Sequence, residues 1–230
     1  MIMKLSENFV EVLKNFASIN SGLVVKPGQV LRTISSNKTI LAEAHVDEVF
    51  ESEFGIYDLN KTLALLSLNK GAPEVAIEKE SLVYLGLGGR GRTRQRFTDT
   101  KLILAPPSKN INVSKYDVEF ELTEEIYEWI MNVSSILKCP NIIVQSTDEG
   151  GLSLAAIDVK GEIVDDAEVA LEGTFSVKSF KAVFKLDNIK IMPGAYKVEL
   201  ASMGVAKFTN KTGKLTYWVS LEAGASSFSK

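Results

Sequence analysis

The chain has 230 residues, of which 45% are hydrophobic and 24% charged, with a formal net charge of −3. This length fits one large domain or two ordinary ones, and the composition supplies enough apolar side chains for globular cores. One cysteine excludes an internal disulfide and suits a reducing cytoplasm, no apolar run reaches the ~18 residues of a membrane span, and the acidic balance lacks the basic excess of an ordinary nucleic-acid binder.

Met1-Ile2-Met3-Lys4 leads directly into a charged amphipathic stretch, so no signal peptide is expected. Residues 6–19 predict a helix capped by Ser6, with Phe9, Val12, Leu13 and Phe16 as its core-facing stripe. Short strands follow at residues 23–25, 29–35 and 39–44, with a turn at Asn37-Lys38. The only histidine, His45, stands in an alternating stretch and reads as structural or surface-exposed. After an acidic run over residues 47–53, a second helix is predicted over residues 59–68, capped by Asp58. Residues 71–85 read as strand, turn, strand, and the arginine-rich segment GLGGRGRTRQR occupies residues 86–96. Residues 101–119 resemble a linker, stiffened by Pro106-Pro107. A third helix is predicted at residues 123–136, followed by Cys139 as a small buried apolar residue. A short fourth helix is predicted at residues 184–192, stopped by Pro193-Gly194, and two further strands lie within residues 194–208.

Two of these segments occur twice. SENFVEVLKNFASI and TEEIYEWIMNVSSI align without gaps at a separation of 117 residues, with Glu7/Glu124, Glu11/Glu128, Asn15/Asn132, Ser18/Ser135 and Ile19/Ile136 identical. Apolar matches between amphipathic helices follow from a shared period, but matched Glu and Asn on a solvated face do not. GAPEVAIEKESLVYL aligns on GAYKVELASMGVAKF at a separation of 123 residues, with Gly71/Gly194, Ala72/Ala195 and Val75/Val198 identical. Two matches in the same order indicate an internal duplication. The expected architecture is α+β, two similar domains per chain with helices on one face of antiparallel sheets. The boundaries expected are a first domain over residues 1–107, a connector over 108–120 and a second domain over 121–230.

No nucleophile, acid–base pair or metal set is found, so neither enzymatic activity nor a cofactor or metal is expected. Asp47, Glu48, Glu51 and Glu53, and Asp165, Asp166 and Glu168, are carboxylates that lack the loop spacing of a calcium site. If the arginine segment is extended, Arg90, Arg92, Arg94 and Arg96 project from one face. They then either contact phosphates without sequence preference or keep an exposed edge strand from self-association. Lys4 and Lys14 are assigned to the first helix, Lys61 to the second, and Lys181, Lys185 and Lys190 to or near the fourth.

The motifs LKNFASINSG (residues 13–22), IYDLN (56–60), NIKIMPGAYK (188–197) and YWVSLEA (217–223) resemble the sliding clamps of T-even-type bacteriophages over nearly the full length. The resemblance implies a ring-forming DNA polymerase processivity factor, a homotrimer that encircles double-stranded DNA and tethers the replicative polymerase. It also implies an ATP-driven clamp loader, use in late transcription, and action in the cytoplasm of the infected bacterial host. Lys4, Lys14, Lys61, Lys181, Lys185 and Lys190 are then expected to face the DNA, through contacts weak enough to permit sliding. A partner peptide is expected on Leu102, Leu104, Pro106 and Pro107 together with Leu221 and Ala223. The alternatives are a duplicated phage assembly protein with no DNA-encircling role, an enzyme using the Asp165/Asp166 pair, and an RNA-binding module built on GGRGR.

Overall fold

A computed structural model describes residues 2–68, 73–88, 90–107, 111–161 and 165–229. Gly71 and Ala72 of the second repeat, and Ser108, Lys109 and Asn110 of the expected linker, lie outside the described residues. The chain divides into two compact units, Met1–Ser108 and Lys109–Lys230.

In the first unit, strand β1 (Ile2–Lys4) precedes helix α1 (Glu7–Ile19), whose N-cap Ser6 accepts a hydrogen bond from the Phe9 N–H. Strands β2 (Leu23–Val25), β3 (Gly28–Ile34), β4 (Ile40–Phe50) and β5 (Phe54–Ile56) come next, then helix α2 (Leu59–Ser67), capped by Asp58. The unit closes with β6 (Glu74–Ile77), β7 (Ser81–Gly86) and β8 (Gly91–Arg96), and a short 3-10 turn at Thr100–Leu102. Strands β1, β6, β7 and β8 make one antiparallel sheet in that order, β2 pairs with β5, and β3 with β4. Helix α1 packs against α2 and β4 and buries Phe9, Val12, Leu13, Phe16 and Ile19. That buried stripe contains all four residues predicted from the helical period.

The second unit opens on β9 (Val118–Leu122), so the expected connector over residues 108–120 runs into the first strand of this unit. The alternation Val118, Phe120, Leu122 buries one side of that strand and explains why it is structured. Helix α3 (Glu124–Leu137) follows with Thr123 as N-cap, then β10 (Asn141–Ser146), β11 (Leu152–Ile157), β12 (Ala167–Leu171), β13 (Gly173–Phe175) and β14 (Ser179–Lys185). Strands β15 (Tyr196–Ala201), β16 (Val205–Asn210), β17 (Leu215–Ser220) and β18 (Ser227–Ser229) complete it. One antiparallel sheet runs β12-β11-β10-β14-β18, and β13, β9, β15, β16 and β17 are hydrogen-bonded neighbours in that order. The apolar core between them gathers Phe120, Tyr127, Ile130, Ile142, Leu154 and Phe208.

The duplication is visible in the elements. Helices α1 and α3 both start behind a hydroxyl cap, and the β6–β7 and β15–β16 hairpins occupy the two copies of the second repeat. Val75 and Val198, identical in the alignment, are both buried. The predicted fourth helix does not form: residues 179–185 are β14, and only Leu186–Asn188 turn, as a 3-10 helix. Phe184, Leu186, Ile189 and Ile191 mix helical and alternating spacing; pairing of β14 with β10 draws Phe184 and Lys185 into the sheet, and only a 3-10 turn follows. Among the described residues α3 is therefore the sole α-helix of its unit.

Candidate functional site

Strand β8 holds the arginines. Arg92, Arg94 and Arg96 are exposed on it, while Arg90 sits in the preceding turn with its Nε donating to the Leu87 carbonyl at 3.3 Å. Arg92 and Arg94 each place an Nη2 against the Glu78 carboxylate, at 3.0 and 3.3 Å, and Arg96 lies 3.7 Å from Glu80. Both glutamates belong to the turn between β6 and β7, so the hairpin that precedes β8 holds the guanidiniums in place. β8 is also the terminal strand of its sheet. The segment is thus extended from Gly91 onward at a sheet edge, with Arg90 outside the strand.

The lysines expected to face DNA are distributed differently from the prediction. Lys14 on α1 is exposed and lies 2.7 Å from Glu11, and Lys61 is exposed on α2. Lys4 is on β1, opposite Glu74 in the neighbouring strand, because the Ser6 cap starts the helix two residues later. Lys181 and Lys185 are on β14, with Lys185 4.0 Å from Asp187, and Lys190 follows the 3-10 turn. The assignment of these four to helices is corrected accordingly. The exposed faces of α1 and α3 carry Glu7, Glu11, Glu124, Glu125 and Glu128. Glu7, Glu124 and Glu125 stand in first turns, where a carboxylate offsets the positive end of the helix dipole.

Residues 102–107 are tied to the first unit by a buried isoleucine. Ile103 is only 7% exposed, whereas Leu102 and Leu104 on either side are 71% and 43% exposed. A Cβ on Gly55 would come within 2.7 Å of Ile103 Cδ1 and 2.5 Å of the Thr98 carbonyl, and one on Gly22 within 3.0 Å of Ile103 Cγ2. The two glycines therefore make the seat in which Ile103 rests. Asn20 Nδ2 donates to the Leu104 carbonyl at 2.9 Å, and Arg32 Nη1 to the Pro107 carbonyl at 3.1 Å. Pro106 is half-buried and Pro107 exposed. In the second unit Leu221 is buried, with its N–H donating to the Gly204 carbonyl, and Ala223 is exposed. Ile103, Gly22 and Gly55 were not singled out from sequence. The alternation of residues 102–104 is their one local signal.

The chemistry-bearing residues are dispersed. Among the described residues no group of three or more His, Cys, Asp or Glu side chains could hold a metal ion. Glu48 is buried and accepts a hydrogen bond from the Ser6 N–H at 2.7 Å, fastening the start of α1. His45 is exposed, 3.7 Å from Glu43. Cys139 is buried; burial first, then the nearby Asp165, Asp166 and Asp158 carboxylates, push its thiol pKa up, away from nucleophilic behaviour. No helix among the described residues is long and apolar enough to cross a membrane.

Known proteins of the same architecture give the class. The proliferating cellular nuclear antigen of Entamoeba histolytica superposes with a TM-score of 0.71 at 16% identity, covering 96% of this chain and 98% of its own. That of A. fulgidus, solved with the C-terminal region of FEN-1 bound, gives 0.72 at 14% identity, with 96% and 97% coverage. These likenesses establish a sliding-clamp fold. The family model of the DNA polymerase processivity factor matches residues 5–81. The sliding clamp of Vibrio phage KVP40 is 30% identical over 225 residues, covering 96% of this chain and all of that protein, and the sliding clamp of Enterobacteria phage T4 is 29% identical over 230 residues, covering 96% and 97%. The chain belongs to the T4-type phage sliding clamps, a family of non-catalytic DNA polymerase processivity factors. The duplicated assembly protein and the RNA module weighed from sequence give way to this assignment.

Proposed function

We propose that three copies of this chain close head to tail into a ring around duplex DNA and hold the replicative polymerase on its template. The observation that carries this reading is the duplication: each chain brings two units with the same helix–hairpin plan, so three chains supply six. A ring held by enclosure needs few phosphate contacts, which accords with a net charge of −3 on a DNA-associated protein. In this reading an ATP-driven loader opens the ring, late transcription uses the same clamp, and the work is done in the cytoplasm of the infected bacterial host.

Lys14 and Lys61 are the DNA-facing residues that helices α1 and α2 present, and Lys4, Lys181, Lys185 and Lys190 add to them from strands and loops. Partner peptides bind the exposed apolar residues Leu102 and Leu104 with Pro106 and Pro107 in the first unit, and the stretch containing Leu221 and Ala223 in the second. Because Leu221 is buried, Leu102→Asp is the cleaner probe of peptide docking. Native mass in solution tests the ring, with three times 25.2 kDa expected. Retention on circular DNA that is lost on linearisation tests enclosure. Joint Glu replacement of the six lysines is expected to abolish stimulation of the polymerase while leaving native mass unchanged; undiminished loading and sliding would remove their assignment.

A further inference from the structure

We infer that Tyr127, Tyr196 and Tyr217 are positioning residues: their hydroxyls clamp the backbone just beyond Lys190 and hold that lysine for DNA in the second unit, as helix α2 holds Lys61 in the first. This deepens the DNA-facing reading of the two lysines given above and rests on it.

Residues 186–192 start as a 3-10 turn and end in neither helix nor strand, so their N–H and C=O groups must find partners elsewhere. The front of the segment is tied by backbone. The Leu186 N–H donates to the Pro140 carbonyl at 2.8 Å, and the Ile189 N–H to the Leu186 carbonyl at 2.9 Å. Behind Lys190 the partners are side chains. The Tyr127 hydroxyl donates to the Ile191 carbonyl at 3.1 Å, and the Tyr196 hydroxyl to the Met192 carbonyl at 2.6 Å. The Met192 N–H donates to the Tyr217 hydroxyl oxygen at 3.2 Å. Hydroxyls from α3, β15 and β17 thus converge on two consecutive residues. All three tyrosines are buried, while Lys190 is exposed. Burial pushes each phenol's pKa up, so the hydroxyls stay protonated through the neutral range.

The duplication supplies a control. Tyr127 aligns on Val10, and at the separation of 123 residues Tyr196 falls on Pro73 and Tyr217 on Arg94. No tyrosine stands at any of these positions in the first unit. There the corresponding segment is helix α2, which satisfies its own backbone and is started by Asp58, whose carboxylate accepts from the Lys61 N–H at 3.0 Å. The tyrosines accompany the unit in which that helix is missing. Phenylalanine rings would cover the segment as well as tyrosine rings do. Hydroxyls aimed at the residues next to an exposed lysine also fix where its Cα sits. A weak phosphate contact then loses less freedom when it forms.

The test uses the full-length chain, with native mass to check assembly and thermal melts to check folding. Affinity for a short linear duplex is read by fluorescence anisotropy over a range of salt. Lys190→Ala is expected to flatten the log–log salt dependence by about 1 for each copy engaged. Tyr127→Phe, Tyr196→Phe and Tyr217→Phe, made singly, each remove one oxygen and keep the ring. Each is expected to weaken binding about 3-fold or more with Lys190 present, and by less than about 1.5-fold in the Lys190→Ala background. Independently, hydrogen exchange at the Met192 amide should run about 3–10-fold faster in Tyr217→Phe. Losses of affinity equal in both backgrounds, or an unchanged Met192 exchange rate, make the tyrosines packing residues only and overturn the inference. A Lys190→Ala ring with an unchanged salt slope removes the contact they would position, which overturns the inference and leaves the ring standing. A parent that stays monomeric at high concentration overturns the ring reading itself.

Discussion

Gly55 shows how a single position controls a surface some distance along the chain. Its missing Cβ admits both the Thr98 backbone and the Ile103 side chain, and Ile103 in turn sets the exposed Leu102 and Leu104. Gly55→Ala is expected to cost about 1–3 kcal/mol through overpacking, read as a shifted urea midpoint, and to weaken binding of a polymerase-tail peptide. Asp117 makes a different kind of contribution. Burial pushes its carboxyl upward, but the Ser202 N–H at 2.8 Å and Lys115 at 3.2 Å outweigh burial, so its pKa lies below the ordinary 3.8. With the folded value below the unfolded one, the stabilisation is complete above that ordinary value and disappears as pH falls through the folded value. Asp117→Asn should therefore unfold at lower urea than the parent at neutral pH, and the difference should close along the acid limb. A gap that persisted at the lowest pH would refute the electrostatic origin.

The two copies of the helix differ in what covers them. Val12 and Ile19 on α1 are 3% and 6% exposed, yet their aligned partners Trp129 and Ile136 on α3 are 43% and 77% exposed. In the first unit α1 packs against α2; in the second, the residues expected to make the corresponding helix form β14 and a 3-10 turn. Ile19→Ala should then cost about 2–5 kcal/mol, whereas Ile136→Ala should stay within about 0.5 kcal/mol of the parent. Equal losses in denaturant unfolding would show that α3 is covered on this side. The caps behave alike in both copies, and Ser6→Ala and Thr123→Ala should each cost about 0.5–2 kcal/mol.

Assembly joins these observations to the clamp's function. A protein that binds DNA by many phosphate contacts loses affinity steeply with salt, while a closed ring on circular DNA does not leave until a seam opens. In the ring proposed above, salt is expected to act on this clamp through ring opening. Its lifetime on circular DNA should shorten in step with the loss of trimer in native mass measurements, and linear DNA should release it quickly at every salt concentration. A lifetime on circular DNA that fell with salt while the trimer stayed intact would place the salt-sensitive contact on the DNA.

The duplication, the caps at Ser6, Asp58 and Thr123, the stripe of α1, the paired hairpins and the family likeness are all legible in the linear order of residues, because each depends on neighbours a few positions away or on plain repetition. The helix predicted over residues 184–192 fails for the converse reason: its spacing suits two periods, and β10, some forty residues earlier in the chain, pairs with Phe184 and Lys185 and takes them into a strand. The same applies to Glu48 beneath the start of α1, to the glycine seat of Ile103, and to Glu78 between Arg92 and Arg94. Each of these contacts joins segments that folding brings together, so burial and partner choice there followed from the packed chain and not from local pattern.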